Sequence, residues 1–300
     1  MNDWRFALWN PGSAPADDRP IFGGASHGFS TSGVWSEPQH AGVVFSPHHF
    51  SGDVVAGCFT DVLGQLRQLP AAPRAAIILF AGGTGAEDFL RQWSRLFPAV
   101  PVAGGAVARH PAQTLGELLP PAEDVAVLLL AGGPWRAETL NVHEVIGSAW
   151  QFQADGPRII THLRRKAGQA WQTAAGVFRA LQAGSGREST DCESITWSDL
   201  TGRNLHCAFA GEYLHSGANL PADGRLLLRT VSPAAAAAKL GAFCAKPNTI
   251  VFGCAGLRSL LAAPIATGAA TVAGFLFGEV VTVDGQPHFG NLMASRLVCG

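Results

Sequence analysis

Ile77-Ile-Leu-Phe-Ala-Gly-Gly83, a segment with helical spacing, and then Pro101-Val-Ala-Gly-Gly-Ala106 follow one another in the first third of the chain. The same order returns near its end, from Thr249-Ile-Val-Phe-Gly-Cys-Ala-Gly256 through Val272-Ala-Gly-Phe-Leu-Phe-Gly-Glu279. In each, a short apolar run ends in small residues, a helix-like segment follows, and a second apolar run breaks at glycine before a third begins. Six-residue runs rich in β-branched and aromatic residues suit strands buried on both faces. The recurrence predicts a duplicated βαββ unit, and hence an α/β fold of two related lobes with mixed sheets. Glycine at strand ends lets a ligand approach backbone N–H groups that side chains would otherwise screen, so the pattern points to a small-molecule binder.

Three hundred residues can bury a large core, and a composition of 47% hydrophobic and 14% charged residues belongs to a globular chain. A net charge of −1, with no basic run longer than Arg164-Arg165-Lys166, leaves no electrostatic footprint for nucleic acid. The first residues lack the pattern of a signal peptide, and runs such as Val125 to Leu130 are too short to span a bilayer. The expectation is a soluble, cytoplasmic protein with no membrane partner. The six cysteines, Cys58, Cys192, Cys207, Cys244, Cys254 and Cys299, form no C-x-x-C pair, which argues against a disulfide framework or a zinc ribbon.

Around the first unit, Thr84-Gly-Ala-Glu87 has capping-box spacing, and Phe89, Leu90, Trp93, Leu96 and Phe97 fall on one helical face. Pro20-Ile-Phe-Gly-Gly-Ala25 echoes Pro101 to Ala106 and predicts a partial further copy, with Ala41 to Phe45 as its next strand. A helical stripe from Ala170 to Leu181 ends at Gly184-Ser-Gly186. A change in composition between about 155 and 200 places the boundary between an N-terminal lobe, 1–160, and a C-terminal lobe, 161–300. In the latter, Arg225 to Val231 reads as a strand, and Ser232-Pro233 as the N-cap and first-turn proline of a helix. Strands at Thr249 to Phe252, Thr271 to Phe277 and Leu292 to Val298 close the chain.

Four C-terminal stretches carry a resemblance: Asp223 to Thr230, Asn248 to Leu261, Gly274-Phe-Leu-Phe-Gly-Glu-Val280 and His288-Phe-Gly-Asn291. In that order they resemble the C-terminal half of FIST proteins, in which a cysteine ends a strand, an arginine follows, and an aromatic-Gly-Glu motif precedes His and Asn. Val102 to Val107 with Val125 to Leu130 is similar to the family's N-terminal half. The chain departs from the family in its length and in having Leu292-Met293 after Asn291. The resemblance implies a cytoplasmic sensory domain for small ligands and a signalling partner protein; Gly278, His288 and Asn291, which stand in the matching motifs, join the candidate ligand-binding residues. One branch of the family is described as a haem-based nitric oxide sensor.

The residues themselves supply the candidate chemistry. Glu279 lies in an otherwise apolar run, where a carboxylate is costly unless it is paired or binds something; its plainer role is a salt bridge to Arg258 or Arg296. Cys254 ends a strand four residues before Arg258, and a thiol beside a guanidinium and a helix start is expected to have a lowered pKa, although buried cysteines often only fill space. Gly104 and Gly105, like Gly23 and Gly24, are candidate turns for close approach to an anion or ordinary turns; none fits a dinucleotide or phosphate-loop fingerprint. The histidines near these segments, His27, His48, His49, His110 and His288, show no metal-binding spacing, so no metal is expected, while a single axial ligand to haem is not excluded by spacing. No G-x-S-x-G elbow occurs. Recognition of a small, anionic or amphipathic metabolite in a cleft between the lobes is the leading expectation, with Glu279, Cys254, Arg258, Asn291, Gly104 and Gly105 around it. A cofactor-free hydrolase or lyase, using Glu279 as base or Cys254 as nucleophile, stays open beside it, as does a haem sensor. The oligomeric state is not specified by these features.

Overall fold

The computed structural model describes residues 2–9, 21–25, 29–31, 34–36, 43–107, 124–184, 194–261, 265–269 and 271–299. His27, His110 and Cys192 lie outside them. The fold is mixed α/β. Ala75–Phe80 shows why: Ala75, Ile77 and Leu79 point into one core and Ala76, Ile78 and Phe80 into another, the period-two alternation of a strand covered on both faces.

That strand is central in an eight-stranded sheet ordered Ile21–Ala25, Asn2–Trp9, Val43–Gly57, Val125–Leu130, Ala75–Phe80, Val102–Ala106, Glu279–Val283, Gln286–Gly290. A six-stranded sheet runs Val34–Ser36, Phe29–Thr31, Val272–Leu276, Thr249–Cys254, Ala294–Cys299, Trp135–Leu140. The two sheets pack face to face, with Ile77, Leu79, Ala103 and Leu128 of the first against Ile250, Phe252, Leu276 and Leu297 of the second. Helices Phe59–Arg67 and Ala86–Leu96 cover the outer face of the larger sheet, and Pro233–Cys244 covers that of the smaller. The result is a four-layer α/β/β/α sandwich. Ser232 caps the last of these helices as expected, accepting the Ala235 N–H at 3.2 Å.

Both expected units contain a parallel pair, Ala75–Phe80 with Val102–Ala106 and Thr249–Cys254 with Val272–Leu276. An antiparallel strand flanks the first member of each, Val125–Leu130 or Ala294–Cys299. Ile21–Ala25 pairs in the same way with Asn2–Trp9, flanked by Val43–Gly57. The units differ in their helices, Ala86–Leu96 against a single turn, Ala255–Arg258. They differ again in that Glu279–Val283 leaves its own sheet to pair with Val102–Ala106 of the other.

A third, antiparallel sheet occupies the middle of the chain. Its strands include Trp150–Ala154, Ile159–Arg164, Ile195–Ser198, Cys207–Ala210, Tyr213–Ser216 and Arg225–Thr230, packed on helix Ala174–Gly184 through Leu163, Phe178, Trp197 and Leu226. The expected lobe boundary at 160/161 falls inside Ile159–Arg164. Both sandwich sheets also take strands from either side of that point. Among the described residues, no helix is long and apolar enough to cross a membrane.

Two glycines give opposite predictions. A Cβ on Gly104 (φ 145°) would lie 1.9 Å from the Ile78 carbonyl oxygen, whereas one on Gly64, inside helix Phe59–Arg67, would meet nothing within 4 Å. Gly104→Ala is expected to cost about 3 kcal/mol or more in denaturant unfolding, and Gly64→Ala to add up to about 1 kcal/mol by its better helix propensity.

Candidate functional site

The structure brings several of the expected residues to the point where the chain crosses between the sandwich sheets. Gly278 makes the crossing at φ 83°, with the Phe289 ring 2.5 Å from where a Cβ would stand. Phe277 N–H donates to the Ala106 carbonyl at 2.8 Å, and Ala106 N–H returns a bond to the Gly278 carbonyl at 3.1 Å. Glu279 then sits opposite Gly105 and Gly290, fully buried. Its Oε1 accepts the Met293 N–H at 2.8 Å, while Oε2 has no nitrogen or oxygen donor among the described residues. No salt bridge to Arg296 forms; that guanidinium is engaged with Glu138 and the Phe243 carbonyl.

The Cys254 thiol donates toward the Glu279 carboxyl, so the two candidate reactive groups are neighbours. Burial pushes Glu279 up to about 8, against the Met293 N–H and the thiol, which favour its charge. Cys254 is pushed up to about 12, first by burial and then by Glu279, with the N–H groups of Leu292, Gly256 and Gly278 opposing. This corrects the expectation of a lowered thiol pKa: the short helix and Arg258 do not offset desolvation. At neutral pH the seam holds an uncharged acid beside an uncharged thiol, both buried.

The turn after Gly290 is fixed by this pair and by the middle sheet. Leu292 is buried at φ 56°, a strained conformation for a side chain of its size. Cys254 N–H donates to the Met293 carbonyl at 3.0 Å, and Asn204 Nδ2 donates to the Leu292 carbonyl at 3.2 Å. Asn291 packs against Gly217, and its buried Nδ2 has no acceptor among the described residues. Arg258 ends the single helical turn that follows Cys254. Gly104 and Gly105 lie within a buried strand, and the space they leave is filled by the carbonyls of Ile78 and Gly278. They admit neighbouring backbone in the place where a ligand was expected.

An open cleft of about 550 Å³ lies elsewhere, between helix Ala86–Leu96, the hairpin formed by Glu279–Val283 and Gln286–Gly290, and loops of the middle sheet. Of the expected site residues, only His288 lines it. One wall is an ionic network. Arg203 donates through Nε to Asp199 at 3.0 Å, through Nη1 to Glu87, and through Nη2 to the Asn219 carbonyl at 2.8 Å. Glu87 also accepts the Asn219 N–H at 3.0 Å and has Arg158 at 4.0 Å. Asp199 accepts the N–H groups of Thr201 and Arg203, each at 3.0 Å. Burial and the Arg203 charge hold His288 below its ordinary pKa, although Asp199, Glu87 and Asp284 favour its protonation.

These residues were missed for identifiable reasons. Glu87 has capping-box spacing, but Gly85, at φ 81°, is the N-cap, and the carboxylate turns outward to Arg203 instead. Asp199-Leu-Thr-Gly202 and Asp284-Gly285 are turn signals that were available; the second, with both residues at positive φ, makes the hairpin carrying His288. Among the described residues, no three His, Cys, Asp or Glu side chains gather as a metal site. No protein-family model matches the chain, and no curated protein matches it.

The seam predicts a specific pH response. Glu279 has a higher pKa folded than unfolded, so the folded state retains a proton that the unfolded chain releases above about pH 4.5. Stability from this group is therefore greatest at low pH and is lost as pH rises toward about 8. Glu279→Gln keeps an acceptor for Met293 and abolishes the titration. Between about pH 6 and about pH 9 the melting temperature of the unsubstituted protein should fall by on the order of 5 °C more than that of the variant; equal slopes would contradict a neutral buried acid.

Proposed function

We propose that this chain recognises a small molecule in the cleft between helix Ala86–Leu96, the His288 hairpin and the middle sheet, in a cytoplasmic sensory role. The observation that carries the reading is the cleft itself. Its volume of about 550 Å³ falls within the range of ligand sites, and its walls come from three stretches far apart in sequence, represented by Glu87, Arg203 and His288. The buried Arg203 network satisfies its own charges, so the walls are set before a ligand arrives and little ordering cost falls on binding. The likeness of the C-terminal motifs to FIST proteins leans toward sensing.

The hydrolase or lyase alternative is less well supported, because Glu279 and Cys254 are buried outside this cleft. Haem fits poorly here: a lining with Arg91, Arg95, Arg203, Glu87, Asp199 and Asp284 differs from the apolar slot that it requires.

Native mass spectrometry of the protein purified from its source should detect a retained small molecule. Ser94→Trp, which fills the cleft from the helix side, should abolish retention while leaving the circular dichroism spectrum unchanged. Equal retention by the folded variant would place the binding site elsewhere.

A further inference from the structure

Charge accounting within the cleft identifies which groups are free for a ligand. Glu87 and Asp199 are each occupied by Arg203 and by backbone N–H groups, and Arg203 uses Nε, Nη1 and Nη2 to hold them. These three build the wall. Asp284, exposed on the hairpin, makes no ion pair with a described residue and brings one negative charge to the cleft, and the remaining positive charge is that of Arg91 and Arg95. They stand four residues apart on helix Ala86–Leu96, so they are neighbours on one helical face, and both line the cleft. Arg91 gives one nitrogen to the exposed Asp88, at 2.8 Å, and Arg95 makes no ion pair with a described residue. Two like charges at this spacing repel one another, an arrangement that an anion placed between them would relieve.

Resting on the cleft being the ligand site, we infer that its ligand carries an oxyanion, a carboxylate or phosphate group, held between Arg91 and Arg95 and facing His288 across the cleft. Planar guanidinium groups match both kinds of anion with paired hydrogen bonds. His288 gives the site a second property. The charged groups around it are Arg203 and Asp199 from the middle sheet, Glu87 from the helix and Asp284 from its own hairpin, and the Arg203 charge opposes its protonation. An anion brought into the cleft shifts that balance toward the imidazolium form. Binding then takes up a proton, and affinity rises as the solution is acidified.

Two probes separate the anion classes without titrating themselves: sulfate in place of a phosphate group and oxalate in place of a carboxylate. Isothermal titration calorimetry should show at least one of them binding. Arg95→Ala and Arg91→Ala, on an exposed helix face, should each weaken binding about tenfold or more. Lowering the pH from about 7.5 to about 5.5 should strengthen it severalfold, and His288→Gln should remove that dependence. Binding of neither anion, or binding unchanged by both arginine substitutions, would overturn the inference. If a neutral or cationic molecule is retained and then lost in Ser94→Trp, the cleft stands as the site and only its anionic character falls.

Discussion

The crossing from Leu276 to Glu279 is the constraint on which the arrangement depends. A strand that ends in the six-stranded sheet continues, after Gly278, on the edge of the eight-stranded one. Only glycine can turn there, because Phe289 occupies the place of a side chain. The crossing ties the sheets together covalently and drives Glu279 into the seam between them. It also swings the hairpin carrying His288 out toward the middle sheet. A buried carboxyl whose donors are one backbone N–H and a thiol is tolerable as a neutral acid and costly as an anion.

This explains why a residue that looked catalytic has a structural position. Glu279, Cys254 and Asn204 hold the turn at Leu292 and Met293 in its strained form from three different elements. Chemistry at neutral pH would need charge and access, and burial opposes both. The outer end of the same hairpin has the opposite character, with half-buried polar groups around a cavity and ionic partners already in place. Polar groups that hold the turn and polar groups that line the cleft are thus separated along one hairpin.

Much of the sandwich is legible from local patterns. The doubly buried strand Ala75–Phe80, the Ser232 cap and the apolar face at Phe89, Leu90 and Trp93 all follow from periodicity and end chemistry. What local reading misses is pairing at a distance. Nothing near Glu279 in sequence announces that it will join Val102–Ala106, and the run before Ile159 gives no sign that a third sheet spans the proposed boundary. The cleft is harder still to read: Glu87 and Arg203 are 116 residues apart, and each has a plausible local explanation that hides the other. The convergence of Cys254 and Glu279 was readable from strand ends, whereas their burial was a property of the packed sheets.

The separation of seam from cleft is tested most directly by a crystal structure of the protein carrying the molecule it retains from its source. The account predicts ligand density between Arg95 and His288, with Glu279 still hydrogen-bonded to Met293 and shielded from solvent. Density contacting Glu279 or Cys254, with the helix-side cleft holding only water, would contradict it.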